Sequence, residues 1–291
     1  MTLSNLLPWI LQAQREHFAI GAFNANTLEQ VQAIVLAAQD EAAPALIQIS
    51  HRALQHVGSG NVTLGLRYMA EIGRVAAQSV NVPIGLHLDH ATEDEVVQAI
   101  GLGFTSVMFD GGDLPFEKNI ERTIRLRELA HSVGVSIEAE LGEVPRADGS
   151  GKVDRTIELT RPEDAAAFVK ATEIDTLAIA LGSVHAIKQK EVKLDLDRLK
   201  AIRSVVDIPL VLHGSSGVTD EHIAQGIALG LCKVNVATQL SQAFTSAVRA
   251  RLVDAAEVDP RKYLGPARDA MIDRVRERIR FFGAGGKARR L

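Results

Sequence analysis

Short aliphatic runs alternate with longer amphipathic segments from one end of this 291-residue chain to the other. Eight runs read as strands: 19–24, 45–50, 84–89, 106–110, 136–141, 176–181, 210–213 and 233–237. Between them, segments 27–41, 61–79, 92–102, 116–133, 162–172, 196–206 and 219–229 repeat apolar residues with the helical period. Near-continuous apolar strands, each followed by a helix, imply parallel pairing with both sheet faces covered. Eight such units are the count of a (β/α)8 TIM barrel, which takes about 250 residues. An open doubly wound sheet fits less well, because no Gly-x-Gly-x-x-Gly follows the first strand. Residues 1–291 are therefore expected to form one barrel domain. Its C-terminal appendage, about 239–291, would hold a helix over 239–253, a turn-rich connection over 259–266 and a helix over 267–282.

Composition narrows the class. A hydrophobic share of 46% and a charged share of 23% suit a globular core. The formal charge is −4, with no basic stripe, so nucleic acid and anionic membrane are not expected partners. Cys232 is the single cysteine, which excludes an internal disulfide and any CxxC zinc motif and fits a reducing cytoplasm. No basic leader precedes an apolar stretch at the N-terminus, and no window approaches 18 apolar residues.

Polar residues cluster where strands end. Those ends carry Asn24, Ser50, Asp89-His90, Asp110, Glu140, His185, His213-Gly-Ser-Ser-Gly217 and Asn235-Val-Ala-Thr238. A barrel builds its active site at the C-terminal ends of its strands. His90, His185 and His213 follow strands three, six and seven; three neutral imidazoles with an open position are the ligand set of a catalytic zinc, a Lewis acid. Singly, each is more simply a hydrogen-bonded rim histidine; together they point to a metal. Strand alternation turns Asp89 away from His90, leaving it as a general acid/base rather than a ligand, with a structural carboxylate as the simpler alternative. His87 would point into the barrel as a hydrogen-bonding group, whereas His51, His56, His131 and His222 read as solvated. Gly214, Ser215 and Ser216, with Asn235, Val236, Ala237 and Thr238, follow strands seven and eight, the usual phosphate-binding position of a barrel. The loop 142–159 after strand five is long enough to be a lid.

These segments, with Ala139-Glu-Leu-Gly142, Ala180-Leu-Gly-Ser-Val-His185, Lys233-Val-Asn-Val-Ala-Thr238 and Asp259-Pro-Arg-Lys-Tyr-Leu-Gly-Pro-Ala-Arg268, resemble the class II ketose-bisphosphate aldolases along the whole chain. The Asn-Val-Ala-Thr form is closer to the tagatose-bisphosphate branch. The resemblance implies a Zn2+ held by His90, His185 and His213, with Asp110 and Glu140 near an alternative metal position. It implies that Asp89 takes the proton of the substrate C4 hydroxyl as the C3–C4 bond breaks. It also implies a C1-phosphate cradle of Lys188, Gly214, Ser216, Asn235 and Thr238, a nearby monovalent cation (Na+ or K+), and a homodimer or homotetramer. The substrate would be a ketose 1-phosphate or 1,6-bisphosphate, of fructose or tagatose type, cleaved to dihydroxyacetone phosphate and an aldehyde. Lys233 sits at the start of strand eight, the wrong end for a Schiff base.

Four departures from that pattern matter. Ala186 replaces the glycine that usually follows the zinc histidine. The fifth loop reads Gly142-Glu-Val-Pro-Arg-Ala-Asp-Gly149, leaving Glu143 or Asp148 as candidates for the C3 proton transfer and Arg146 as an anion contact. Asp110-Gly-Gly-Asp113 replaces Asp-x-Ser. Arg274 matches only loosely an arginine that some members send across the dimer to the distal phosphate; a solvated helix face is the simpler account. The distal group could then be a sulfonate, or the substrate a deoxy-gluconate phosphate. A non-catalytic barrel subunit would be expected to lose Asp89 or a zinc histidine, and a metal hydrolase would need a His-x-His that His87-Leu-Asp-His90 does not supply.

Overall fold

The computed structural model describes residues 2–145, 158–185 and 191–288. Eight parallel strands close into a barrel in chain order: β1 (Ile20–Asn24), β2 (Ala45–Ser50), β3 (Ile84–Ala91), β4 (Ser106–Phe109), β5 (Ser136–Leu141), β6 (Thr176–Ile179), β7 (Leu210–Leu212) and β8 (Leu231–Val236). Closure of β8 onto β1, with Ala22 opposite Asn235, excludes the open doubly wound sheet. The shell comprises α1 (Leu7–Glu16), α2 (Leu28–Asp40), α3 (His51–Val57), α4 (Val62–Gln78), α5 (Glu93–Gly101), α6 (Phe116–Ser132), α7 (Pro162–Thr172), α8 (Leu196–Arg203), α9 (Asp220–Ala228), α10 (Thr238–Arg251) and α11 (Pro260–Phe281). Periodicity does not reveal α1 or α3; α3 follows β2 without a connecting loop.

Local chemistry starts the helices where the sequence places them. Thr27, Asn61, Thr92 and Thr219 each accept a backbone N–H of the first turn, and Thr92 and Glu95 form a reciprocal capping box. Aliphatic side chains fill the space between barrel and shell. Phe168 of α7 is fully buried and lies 6.1 Å from Phe116 of α6, ring centre to ring centre. Phe168→Ala is expected to cost about 3–5 kcal/mol, read as a lower urea midpoint.

The C-terminal region differs from expectation. Residues 259–266 are not a separate turn, because α11 runs unbroken from Pro260 to Phe281 with Pro266 inside it. Asp259 caps the helix by accepting the Arg261 N–H, and Pro260 sits in the first turn, where its missing N–H has no intrahelical partner to lose. Pro266 forfeits an internal hydrogen bond, and packing compensates. Ala267, Met271, Val275 and Ile279 form a buried stripe at four-residue spacing. Glu41, just past α2, accepts from Arg276 at 3.0 Å and from Arg280 at 2.7 Å.

The Arg280 hydrogen bond, opposed by burial and aided by Arg276, holds the Glu41 carboxyl below its usual value of 4.5. A depressed carboxylate stabilises the fold above its unfolded pKa, and that stabilisation is lost as pH falls through the folded value. Glu41→Gln is therefore expected to lower Tm at pH 7, with the deficit shrinking as pH drops below 4.5. Paired melts across that range check it.

Candidate active site

The strand ends converge on a cavity of about 1120 Å³ at the C-terminal mouth of the barrel. Asn24, Ser50, Asp89, His90, Asp110, Glu140, Glu143, His185, Gly214, Ser215, Ser216, Asn235, Ala237 and Thr238 line it. His213 and Val236 are buried immediately behind this wall. Arg274 lies on α11, 2.6 Å from Glu277, and does not line this chain's cavity. Arg146, Asp148, Ala186 and Lys188 lie outside the described residues.

One nitrogen from each of His90, His185 and His213 gathers within 4.8 Å of the others. Hydrogen bonds orient two of these rings. His90 Nδ1 lies 2.8 Å from Asp110 Oδ2, and His213 Nε2 lies 3.0 Å from Glu138 Oε1. His90 Nε2 and His213 Nδ1 are buried and have no hydrogen-bond partner. Buried nitrogen atoms left unsatisfied at a shared point fit a metal ion. His213 Nδ1 also lies 2.8 Å from Glu140 Oε2, an ion pair that is not aligned as a hydrogen bond.

Backbone geometry explains how His90 reaches that point. Simple alternation would place Asp89 and His90 on opposite faces of β3, and the structure corrects this. The β3–β4 register shifts between Leu88 and Ala91, and His90 adopts φ +48°, in the left-handed region. A bulge re-aims the following side chain, so both residues line one cavity. Such a conformation costs about 1–3 kcal/mol in a non-glycine residue and clusters at functional sites.

Asp89 is 5% exposed and accepts from Asn235 Nδ2 at 3.2 Å. Burial pushes its pKa up, but His90, His213 and Lys233 outweigh burial and hold it below 3.8, so it stays an acceptor at neutral pH. Asp110 is held low chiefly by its hydrogen bond to His90. Burial lowers the His213 pKa, but the Glu138 and Glu140 carboxylates prevail and raise it to about 10.

The loop after β7 is shaped for close backbone approach. Gly214 has φ +62°, and a Cβ there would lie 2.9 Å from the Val184 carbonyl carbon. Gly214→Ala is expected to destabilise the fold by about 2 kcal/mol, from the left-handed backbone alone. Ser215 donates to the Asn235 carbonyl, which ties this loop to β8.

Glu138 was not among the sequence candidates. Its signal is Ser136-Ile-Glu138-Ala-Glu140, a period-two polar face on β5 inside an otherwise aliphatic barrel. Gln48, which donates to Asn24 Oδ1 at 3.0 Å, was also missed. Two surface assignments change. His51 lines the cavity, 2.5 Å from Glu95, and His222 Nδ1 accepts the Leu194 N–H at 3.1 Å. His87 is fully buried, as expected, between Ser106 Oγ at 2.8 Å and Lys233 Nζ at 3.3 Å.

A parallel eight-stranded barrel with a histidine trio and a buried carboxylate at its mouth is the frame of a TIM-barrel enzyme that works with a metal. Residues 4–287 match the family described as "Fructose-bisphosphate aldolase class-II". A fructose-bisphosphate aldolase of Geobacillus stearothermophilus is 40% identical over 99% of both chains, and a sulfofructosephosphate aldolase of Alkalicoccus urumqiensis is 37% identical over 95% of both. The crystal structure of the YdjI aldolase from Escherichia coli K12 superposes with a TM-score of 0.84 at 30% identity, covering 99% of this chain and 100% of that one. The chain belongs to the class II fructose-bisphosphate aldolase family, whose members are carbon–carbon lyases.

Proposed function

We propose that the chain reversibly cleaves a ketose 1-phosphate or 1,6-bisphosphate between C3 and C4, giving dihydroxyacetone phosphate and an aldehyde. The observation that carries this reading is that Asp89, His90 and His185 line one cavity with Gly214–Ser216 and Ala237–Thr238, and that a nitrogen of the buried His213 lies within 4.8 Å of those of His90 and His185. His90, His185 and His213 would hold Zn2+, which supplies a Lewis acid that polarises the ketose carbonyl and stabilises the charge left by cleavage. Asp89 would accept the C4 hydroxyl proton, with Asn235 holding its carboxylate. Asp110 would keep His90 oriented, and Glu140, 2.8 Å from His213 Nδ1, would lie near an alternative metal position. The loop after β7 and the start of α10 would receive the C1 phosphate, beside a monovalent cation. Glu143, which lines the cavity, is the described candidate for C3 proton transfer.

The distal group separates two readings. The relative named for sulfofructosephosphate supports a sulfonate there, and the relative named for fructose bisphosphate supports a phosphate. Either is an anion. The cavity's described cations are Arg52 and Arg161, and Arg161 is already engaged by Asp164 at 2.7 Å, which leaves Arg52 as the cation without a carboxylate partner. Arg52→Ala is expected to raise KM about tenfold for a substrate with a distal anion, through loss of about 1.4 kcal/mol of binding. A neutral-ended substrate should be unaffected.

A kcat/KM comparison over fructose and tagatose bisphosphates, a deoxy-gluconate phosphate and a sulfofructose phosphate, with and without chelator, tests the assignment. Cleavage that survives complete chelation would refute it. Retention of Asp89 and all three histidines argues against a non-catalytic partner subunit. The same reading takes residues 1–291 as one domain, a homodimer or homotetramer in the cytoplasm; light scattering measures the assembly. Among the described residues, no helix is long and apolar enough to cross a membrane.

A further inference from the structure

We propose that Glu138 and Lys233 form a buried positioning pair that selects the His213 tautomer and so presents Nδ1 to the metal. This rests on the reading of the histidine trio as metal ligands. Glu138 is 1% exposed and lies beneath the cavity, two residues before Glu140 on the same face of β5. Its Oε1 is 3.0 Å from His213 Nε2, and its Oε2 accepts from Thr176 Oγ1 at 3.1 Å. A carboxylate can only accept, so His213 Nε2 carries the hydrogen that faces Glu138; once a metal takes the place of any Nδ1 proton, the ring is held as the Nε2–H tautomer and Nδ1 would be the ligating nitrogen.

Lys233 supplies the opposite charge. Its Nζ donates to both Glu138 oxygens, at 3.1 and 3.0 Å, and to His87 Nε2 at 3.3 Å, which uses its three hydrogens. His87 then donates from Nδ1 to Ser106 Oγ at 2.8 Å. The network thus runs from Ser106 to His213, and His213 Nδ1 and Glu140 Oε2, 2.8 Å apart at its upper edge, have no aligned hydrogen bond. Lys233 is 1% exposed, and these bonds fully occupy its ammonium, so it acts as a fixed charge under the site rather than as a nucleophile.

The test uses the full chain in three forms. In the zinc-loaded wild type, 15N-histidine NMR is expected to show His213 protonated at Nε2 and ligating through Nδ1; the reversed pattern overturns the proposal. Glu138→Leu/Lys233→Met removes the acceptor and the charge together, so that neither partner is left buried alone. Its zinc Kd, measured by chelator competition, is expected to rise about 10–100-fold. Glu138→Gln keeps an acceptor oxygen and is expected to show a smaller rise. A folded double variant with zinc affinity within about twofold of wild type overturns the proposal, since a carboxylate that orients a ligating imidazole is worth about tenfold or more. If the double variant fails to fold, the wild-type NMR pattern decides. A wild-type chain that takes up no zinc overturns the metal-centre reading, and the proposal falls with it.

Discussion

His185→Ala is expected to abolish stoichiometric zinc and to lower kcat/KM for aldol cleavage by about 10⁴-fold. A metal Lewis acid supplies several kcal/mol of charge stabilisation, and about 5.5 kcal/mol corresponds to that factor. His185 is the informative candidate ligand because it is only half-buried, whereas His213 is fully buried between two carboxylates. Its replacement therefore perturbs the barrel less than replacement of His213 would. Metal analysis and steady-state kinetics on one preparation check the prediction. Full zinc with full activity would remove His185 from the centre.

Asp89→Ala is expected to separate metal binding from proton transfer. Zinc stoichiometry should stay at the wild-type value, and kcat should fall by about 10²–10⁴-fold, the usual contribution of a positioned acid or base. Asp89 is held ionised among three histidines and Lys233, with Asn235 fixing one oxygen. Asp89→Asn keeps the shape but cannot accept the proton, so it should be similarly impaired. A variant that lost zinc as well would make Asp89 a support for the histidine cluster instead.

The two variants probe parts of the site that were unequally visible in the residues. His90, His185 and His213 stand at strand ends 95 and then 28 positions apart, and they became a constellation only because eight strand–helix units bring those ends to one mouth. That count was legible in the apolar pattern. The turn to a common point was not. His90 would face the helices on a regular strand, and it faces the cavity because of a bulge and one left-handed residue. Alternation is a local rule, and a bulge is set by how β3 pairs with β4. The same limit applies to α11. Pro266 looks like a helix stop in isolation, and the apolar stripe from Ala267 to Ile279 overrides it through burial.

Sequence alone determined the barrel, the strand ends that carry polar side chains and the identity of the three candidate metal-binding histidines, because these follow from period and order. Tertiary structure decided which nitrogen of His90 and of His213 faces the candidate metal position. That depends on Asp110 and Glu138, which are 20 and 75 residues from the histidines they touch. Hydrogen bonds across such separations have no local pattern. They exist only once the strands are in register and water is excluded, so that each buried donor must find its acceptor.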